Sequence, residues 1–230
     1  MANKPEISII IPVLDEQSII REALGRIRGS ALNVRHEVIV VDGSADAGTL
    51  KTIRSSAVRK VSSPKGRARQ MNTGAKASRG DILLFLHADT ELPPGGIQAI
   101  ENAMKDTGIA GGAFLFGVKS GRAVFRLMET LVNLRNSITR IPYGDQAIFI
   151  RRDVFEKLGG FSDMPIMEDI DLMLRMKMAG HEIVFIPEKV QTSPRRWERE
   201  GILYSTIRNW TLSSLFYIGM NPRILSRFYR

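Results

Sequence analysis

The feature that most limits the fold is residues 82–86 (ILLFL), five apolar residues in a row inside the stretch DILLFLHADTEL of residues 81–92. A strand with one wet face alternates apolar and polar positions. An unbroken run of this length is what a strand covered on both faces of a parallel sheet requires. The run stops at His87-Ala88-Asp89-Thr90, and Pro93-Pro94-Gly95-Gly96 breaks the chain before a new helical pattern. In open α/β sheets the ligand sits just outside the carboxyl ends of the strands. Asp89 therefore falls where a carboxylate can hold a hard cation against a phosphate. A carboxylate that only caps the next turn fits this stretch equally well.

Two runs of the same kind come earlier. Residues 7–13 (ISIIIPV) lead into Leu14-Asp15-Glu16, and residues 37–41 (EVIVV) open into Asp42-Gly43-Ser44-Ala45-Asp46. Between them, residues 17–28 carry Ile19, Ile20, Ala23, Leu24 and Ile27 on one helical face. Strand, helix and strand within about 35 residues make a βαβ unit with parallel strands. A short helix over 49–55, a strand over 57–61 and a helix over 67–77 follow, the last between Pro64-Lys65-Gly66 and Ser78-Arg79-Gly80. Residues 1–92 thus read as a nucleotide-binding α/β half.

The second half changes character. Residues 109–118 (IAGGAFLFGV) are strand-like, with Gly111-Gly112 marking a bend or a close backbone approach. An amphipathic helix spans 122–139, a strand covers 147–150, and a short helix runs over 152–158. Residues 164–171 open a helix running to 179, and a last strand covers 182–186. Residues 192–197 (TSPRRW) read as a cation-rich loop, followed by a final helix over 199–217 and a basic tail ending at Arg230. No repeat, low-complexity tract or linker interrupts the chain. The expected organisation is one domain, with residues 93–200 as an acceptor and catalytic half and 201–230 as a basic amphipathic helix and tail.

The chain has no cysteine, which removes disulfides and thiolate zinc sites, and its three histidines are scattered. No apolar run reaches the roughly 20 residues of a membrane span, and the first residues lack a leader's apolar core. The expectation is a cytoplasmic protein. The net charge of +9 favours anionic partners such as phosphates, nucleotides, nucleic acid or acidic lipid.

Acidic groups recur at the ends of elements: Asp15-Glu16, Asp42, Asp89, and Glu168-Asp169 with Asp171. Lys65, Arg67 and Arg69 stand at the start of a helix, where backbone N–H groups add donors for a diphosphate. In this order the motifs resemble family 2 glycosyltransferases, which have the GT-A fold, over about residues 6–200. ISIIIPVLDE resembles their first strand and loop, and EVIVVDGSADAGT their second strand and nucleotide loop. GRARQMNTGAKASRGDILLFLHADT resembles the approach to the DxD metal motif, MEDIDL the ED motif, and RRW the late Arg-Trp motif. The HADT variant and the GDQ of Gly144 to Gln146 are similar to those of a bacterial subgroup.

The resemblance implies an α/β fold with a single mixed, mostly parallel sheet flanked by helices. It also implies inverting transfer from a nucleoside-diphosphate sugar, UDP-linked by family habit, to a hydroxyl acceptor. Asp169 would be the general base, and Asp89 with His87 would hold Mn²⁺ or Mg²⁺. Pro12, Glu16, Asp42, Arg67, Arg69, Asn72 and Ala88 would line the donor nucleotide. Asp145, Gln146, Glu168, Arg195, Arg196 and Trp197 would serve the acceptor or a lid. Where the family has Asp-x-Asp this chain has His87-Ala88-Asp89, so the metal meets less negative charge. The basic, apolar stretch from Trp210 onward suits either an anionic inner membrane face, where lipid-linked acceptors are found, or a second subunit. A nucleotidyltransferase is the weaker enzymatic alternative, because PVLDEQS lacks a glycine-rich signature. A non-catalytic binder of nucleotide sugar, lipid or nucleic acid would have no need of Asp169 as a base.

Overall fold

The computed structural model describes residues 4–30 and 34–229. Arg230, the end of the basic tail, lies outside the described residues. In chain order the first half is β1 (Ile7–Val13), α1 (Ile20–Ser30), β2 (His36–Asp42), α2 (Gly48–Thr52), β3 (Val58–Ser62), α3 (Arg67–Ala77) and β4 (Ile82–Phe85). Then come β5 (Thr90–Glu91), α4 (Gly96–Ala103), β6 (Ile109–Leu115), α5 (Ala123–Thr139), β7 (Phe149–Arg151), α6 (Arg152–Lys157) and α7 (Glu168–Met178). The chain closes with β8 (Glu182–Lys189), β9 (Gln191–Thr192), α8 (Arg195–Glu200), α9 (Ile202–Tyr217) and α10 (Pro222–Leu225).

Seven strands form one sheet in the order β3-β2-β1-β4-β7-β6-β8. All neighbours are parallel except those of β7, which runs against both β4 and β6. The sheet is therefore mixed and mostly parallel. Its strands feed two cores because successive side chains point to opposite faces. Ile7, Ile9, Ile11, Leu84 and Leu86 pack with Ile20, Ile97 and Ile100 on one side. Ile10, Leu83 and Phe85 pack with Met71, Ile170 and Met173 on the other. Both faces are covered, which is why the strands read as unbroken apolar runs.

Pro12 is tolerated in the central strand because β1 pairs with β4 only as far as Ile10 and Phe85, so its missing N–H interrupts no bond. At Gly111-Gly112 the sheet shows both expected features. The β6–β8 register shifts beside Gly111, and a Cβ on Gly112 would sit 2.1 Å from the Val184 carbonyl oxygen.

Three expectations change. Residues 192–197 are not one loop, because Arg195 opens the helix α8. The final helix is broken at Gly201, whose φ of +89° separates α8 from α9. The helix expected to open in 164–171 begins only at Glu168, after Met167 turns the chain with a φ of +68°. A two-stranded sheet, β5 with β9, was not foreseen; it ties the residues after Asp89 to those before Arg195 through Thr90 and Thr192.

Candidate active site

β1, β2 and β4 are parallel, so the loops after Val13, Asp42 and Phe85 gather on one edge of the sheet. β7 runs the other way, so the short 3-10 turn Gly144–Gln146 that precedes it arrives at the same edge. α7 adds its N-terminal residues Glu168 and Asp169. A small, largely enclosed cavity of about 10 Å³ lies where Arg67, His87, Gly144, Glu168 and Asp169 meet the apolar side chains of Met71, Phe85, Ile148 and Phe161.

Asp169 is fixed by two backbone donors. The Gly144 N–H reaches one carboxylate oxygen at 2.5 Å, and the Ile170 N–H reaches the other at 2.8 Å. Each oxygen keeps a lone pair for a further donor. Gly144 is glycine for want of room: a Cβ there would stand 3.0 Å from the Asp169 carboxylate and 3.4 Å from the His87 ring. Glu168, 1% exposed, meets Arg67 at 3.5 Å. Burial pushes its pKa up to about 7; Arg67 opposes the rise and the neighbouring Asp169 adds to it. Asp145 is pushed up to about 6, first by burial and then by Asp169, with Arg135 opposing. His87 is pushed down to about 3 by burial and by the positive charges of Arg67 and Arg196, so its imidazole is neutral.

Glu16 is half-buried on the first loop, 3.8 Å from Arg195. Its pKa is raised by burial and by Asp89, against the pull of Arg195. Asp89 also acts on Arg67 and Asp145, and Arg196 on Asp145 and His87. The structure thus brings together Glu16, Arg67, His87, Asp89, Asp145, Glu168, Asp169, Arg195 and Arg196.

Other residues expected at the site have structural partners. Asp42 is fully buried and accepts from the Ser44 N–H and hydroxyl and from the N–H groups of Thr49 and Leu50, so it shapes its loop. The Asn72 amide bonds both the N–H and the carbonyl of Phe161. Arg69 forms a two-pronged pair with Asp163. Gln146 is fully buried, donating to the Phe114 carbonyl and accepting from the Tyr143 N–H. The Ala88 side chain belongs to the core. Trp197 packs edge-on against Phe116 and Phe125, at 6.1 and 6.2 Å between ring centres. Two further contributors are the Gly144 N–H, whose residue opens the GDQ singled out in the sequence, and Arg135, which carried no motif and is stacked 3.5 Å over the Tyr143 ring.

Among the described residues no three His, Cys, Asp or Glu side chains form a metal cage. Magnesium or manganese shared with substrate phosphates needs only one or two carboxylates, with waters and phosphate oxygens for the rest. Asp89, with a neutral imidazole two residues before it, fits that donor set.

The model of glycosyl transferase family 2 matches residues 8–159. A probable glycosyltransferase, YdaM of Bacillus subtilis, is 25% identical over 86% of this chain and 53% of its own length. An undecaprenyl-phosphate 4-deoxy-4-formamido-L-arabinose transferase of Pseudomonas fluorescens is 27% identical over 66% of this chain and 48% of its own. The chain thus spans about half the length of these curated relatives. Among solved structures, the mannosyltransferase PcManGT of Pyrobaculum calidifontis, in complex with GDP-Man and Mn²⁺, superposes with a TM-score of 0.71 at 21% identity, covering 99% of this chain and 70% of that one. The matched sequence makes this chain a member of glycosyl transferase family 2, and the superposition shows that it has the GT-A fold.

Proposed function

We propose that the protein transfers a sugar, with inversion, from a nucleoside-diphosphate sugar to a hydroxyl acceptor, with Asp169 as general base. The observation that carries this is the Asp169 carboxylate, oriented by two backbone N–H groups beside Arg67 and His87. The acceptor O–H gives its proton to Asp169 as its oxygen bonds to the anomeric carbon. The bond from that carbon to the diphosphate breaks, and its electron pair leaves with the diphosphate. Inversion needs one base and no protein nucleophile. Arg67 and Arg196 face the charge that develops on the leaving group, where fixed cations act most strongly. A Mn²⁺ or Mg²⁺ held by Asp89, with His87 as neutral neighbour, would supply Lewis-acid stabilisation of that diphosphate.

Glu16 serves the nucleoside end of the donor, and Asp42 acts there by holding the loop over which it lies. Pro12 and Ala88 contribute backbone to the same end, and Asp145 faces the acceptor. We assign uridine as the base, with guanosine the competitor that the GDP-Man complex of the solved neighbour supports. The relative named for undecaprenyl phosphate supports a lipid-linked acceptor.

A ligand that binds the native state raises its apparent stability. Thermal melts of wild type and Asp89→Ala with UDP, GDP, dTDP and their sugars, with and without Mn²⁺, therefore test the reading. One nucleotide should give a metal-dependent rise that the variant loses. No rise with any nucleotide would overturn the donor site.

A further inference from the structure

α5 and α9 touch at their N-terminal ends. Near their starts, Ile202 and Trp197 pack with Phe125, Met128 and Val132, and the Thr206 hydroxyl is 3.6 Å from the Met128 sulfur. Farther along, Tyr217 reaches Tyr143 beneath Arg135. α5 turns Phe125, Met128, Glu129 and Asn136 inward. On its other side Val124, Leu127, Leu131, Leu134 and Ile138 recur every three or four residues and are 38–73% exposed. α9 repeats the pattern with Leu203, Ile207 and Trp210, and Ile218 just beyond its end, at 40–79% exposure. A soluble monomer seldom leaves so many large apolar side chains exposed on two helices that touch unless something covers them.

The charges at the margin indicate what does. Between residues 119 and 141 the one acid is Glu129, which is buried and paired with Arg126 and Lys189. Between 202 and 229 there is no acid at all. Arg122, Arg126, Arg140, Arg223 and Arg227 are all exposed. An apolar face bordered by arginines, with no exposed carboxylate on either helix, complements an anionic lipid surface. Trp210 is the side chain that favours the boundary between headgroup and acyl chain. A groove of about 610 Å³ between α9 and the tail is walled by Ile207, Leu212, Leu215, Met220, Leu225 and Phe228, with Arg227 also lining it. It shares Ile207 with the exposed stripe and is large enough for part of an acyl chain. Among the described residues no helix is long and apolar enough to cross a membrane, so the contact lies along the surface.

We propose that the paired faces of α5 and α9 seat this protein on an anionic lipid bilayer.

Co-sedimentation with vesicles of phosphatidylcholine alone, and of phosphatidylcholine enriched in phosphatidylglycerol, tests this at low and high salt. Wild type should partition about tenfold or more in favour of the anionic vesicles, and salt should weaken the preference. Leu127→Asp with Ile207→Asp changes two exposed positions and should lose at least about tenfold in partitioning. Arg223→Glu with Arg227→Glu should lower anionic binding alone. Thermal melts without ligand check that every variant folds, so failure here is separate from failure of the transfer reading. Equal binding by wild type and the Asp variant, or no binding to either vesicle, overturns the proposal. It is equally overturned by a dimer in sedimentation velocity that the Asp variant splits while wild type ignores vesicles, for the face then belongs to a second copy.

Discussion

Asp42 and Glu168 are both carboxylates with at most 1% of their surface exposed, and their surroundings treat them in opposite ways. Asp42 receives three N–H groups and a hydroxyl from residues within eight positions of itself. Glu168 has a single arginine at 3.5 Å and another carboxylate next to it. Where donors saturate a buried carboxylate, its charge is used up in holding backbone, and the result is architecture. Where they do not, the group is left near the point of taking up a proton, and its charge answers to whatever enters the site. The two ends of the site differ in this way: the second loop is built, and the start of α7 is poised.

The largest effect should come from the poised end. Asp169→Asn removes the base, together with one of the two acceptors of backbone N–H, and should lower kcat by roughly 10²–10⁴-fold while the nucleotide-induced rise in Tm survives. Equal loss of both would mean that Asp169 holds the donor rather than the acceptor proton. At the built end, Asp42→Ala leaves several donors unmatched and should cost roughly 2–4 kcal/mol in a urea melt. A cost near zero would show that the loop stands without it.

Glu168 sharpens the contrast through pH. Its folded pKa, about 7, lies above the ordinary 4.5, so the native state holds a proton that the unfolded chain has released. The stability it contributes is complete below pH 4.5 and lost as pH rises through 7. Glu168→Gln cannot titrate, so its stability relative to wild type should gain roughly 1–3 kcal/mol between pH 4.5 and pH 8. Urea melts at both values measure this, and parallel curves would place Glu168 with Asp42. The smallest change should follow Trp197→Leu, which loosens the contacts with Phe116 and Phe125 by about 1–2 kcal/mol. Donor affinity should not move; a large fall would return Trp197 to the site as a lid.

The sequence made the scaffold readable where one physical cause dominates. β1 and α3 fall at 7–13 and 67–77 as read, because burial on both faces writes an unbroken apolar run and Gly66 and Ser78 punctuate the helix. α8 was missed because RRWERE has no apolar face to declare a period. β5 and β9, two residues each, are too short to carry any alternation. Within the site, the sequence could supply carboxylates and cations but not their partners. Nothing in the letters says that the amides of Asn72 and Gln146 turn to backbone, or that Arg69 turns to Asp163. Those outcomes depend on which loop lies opposite, and residues far apart in the chain decide that.

The reversed direction of β7 also bears on how such a fold can diversify. β6 leaves the sheet at the edge where the loops after β1, β2 and β4 lie, and β7 re-enters from that same edge. Residues 116–148 therefore form an excursion anchored at both ends by strands whose register does not depend on its length. In topological terms it is a cassette. Its two ends are tied down, by Gly117 and Lys119 on Thr192 and by Gly144 on Asp169, so α5 between them is the part that can be lengthened, shortened or exchanged without moving the sheet edge.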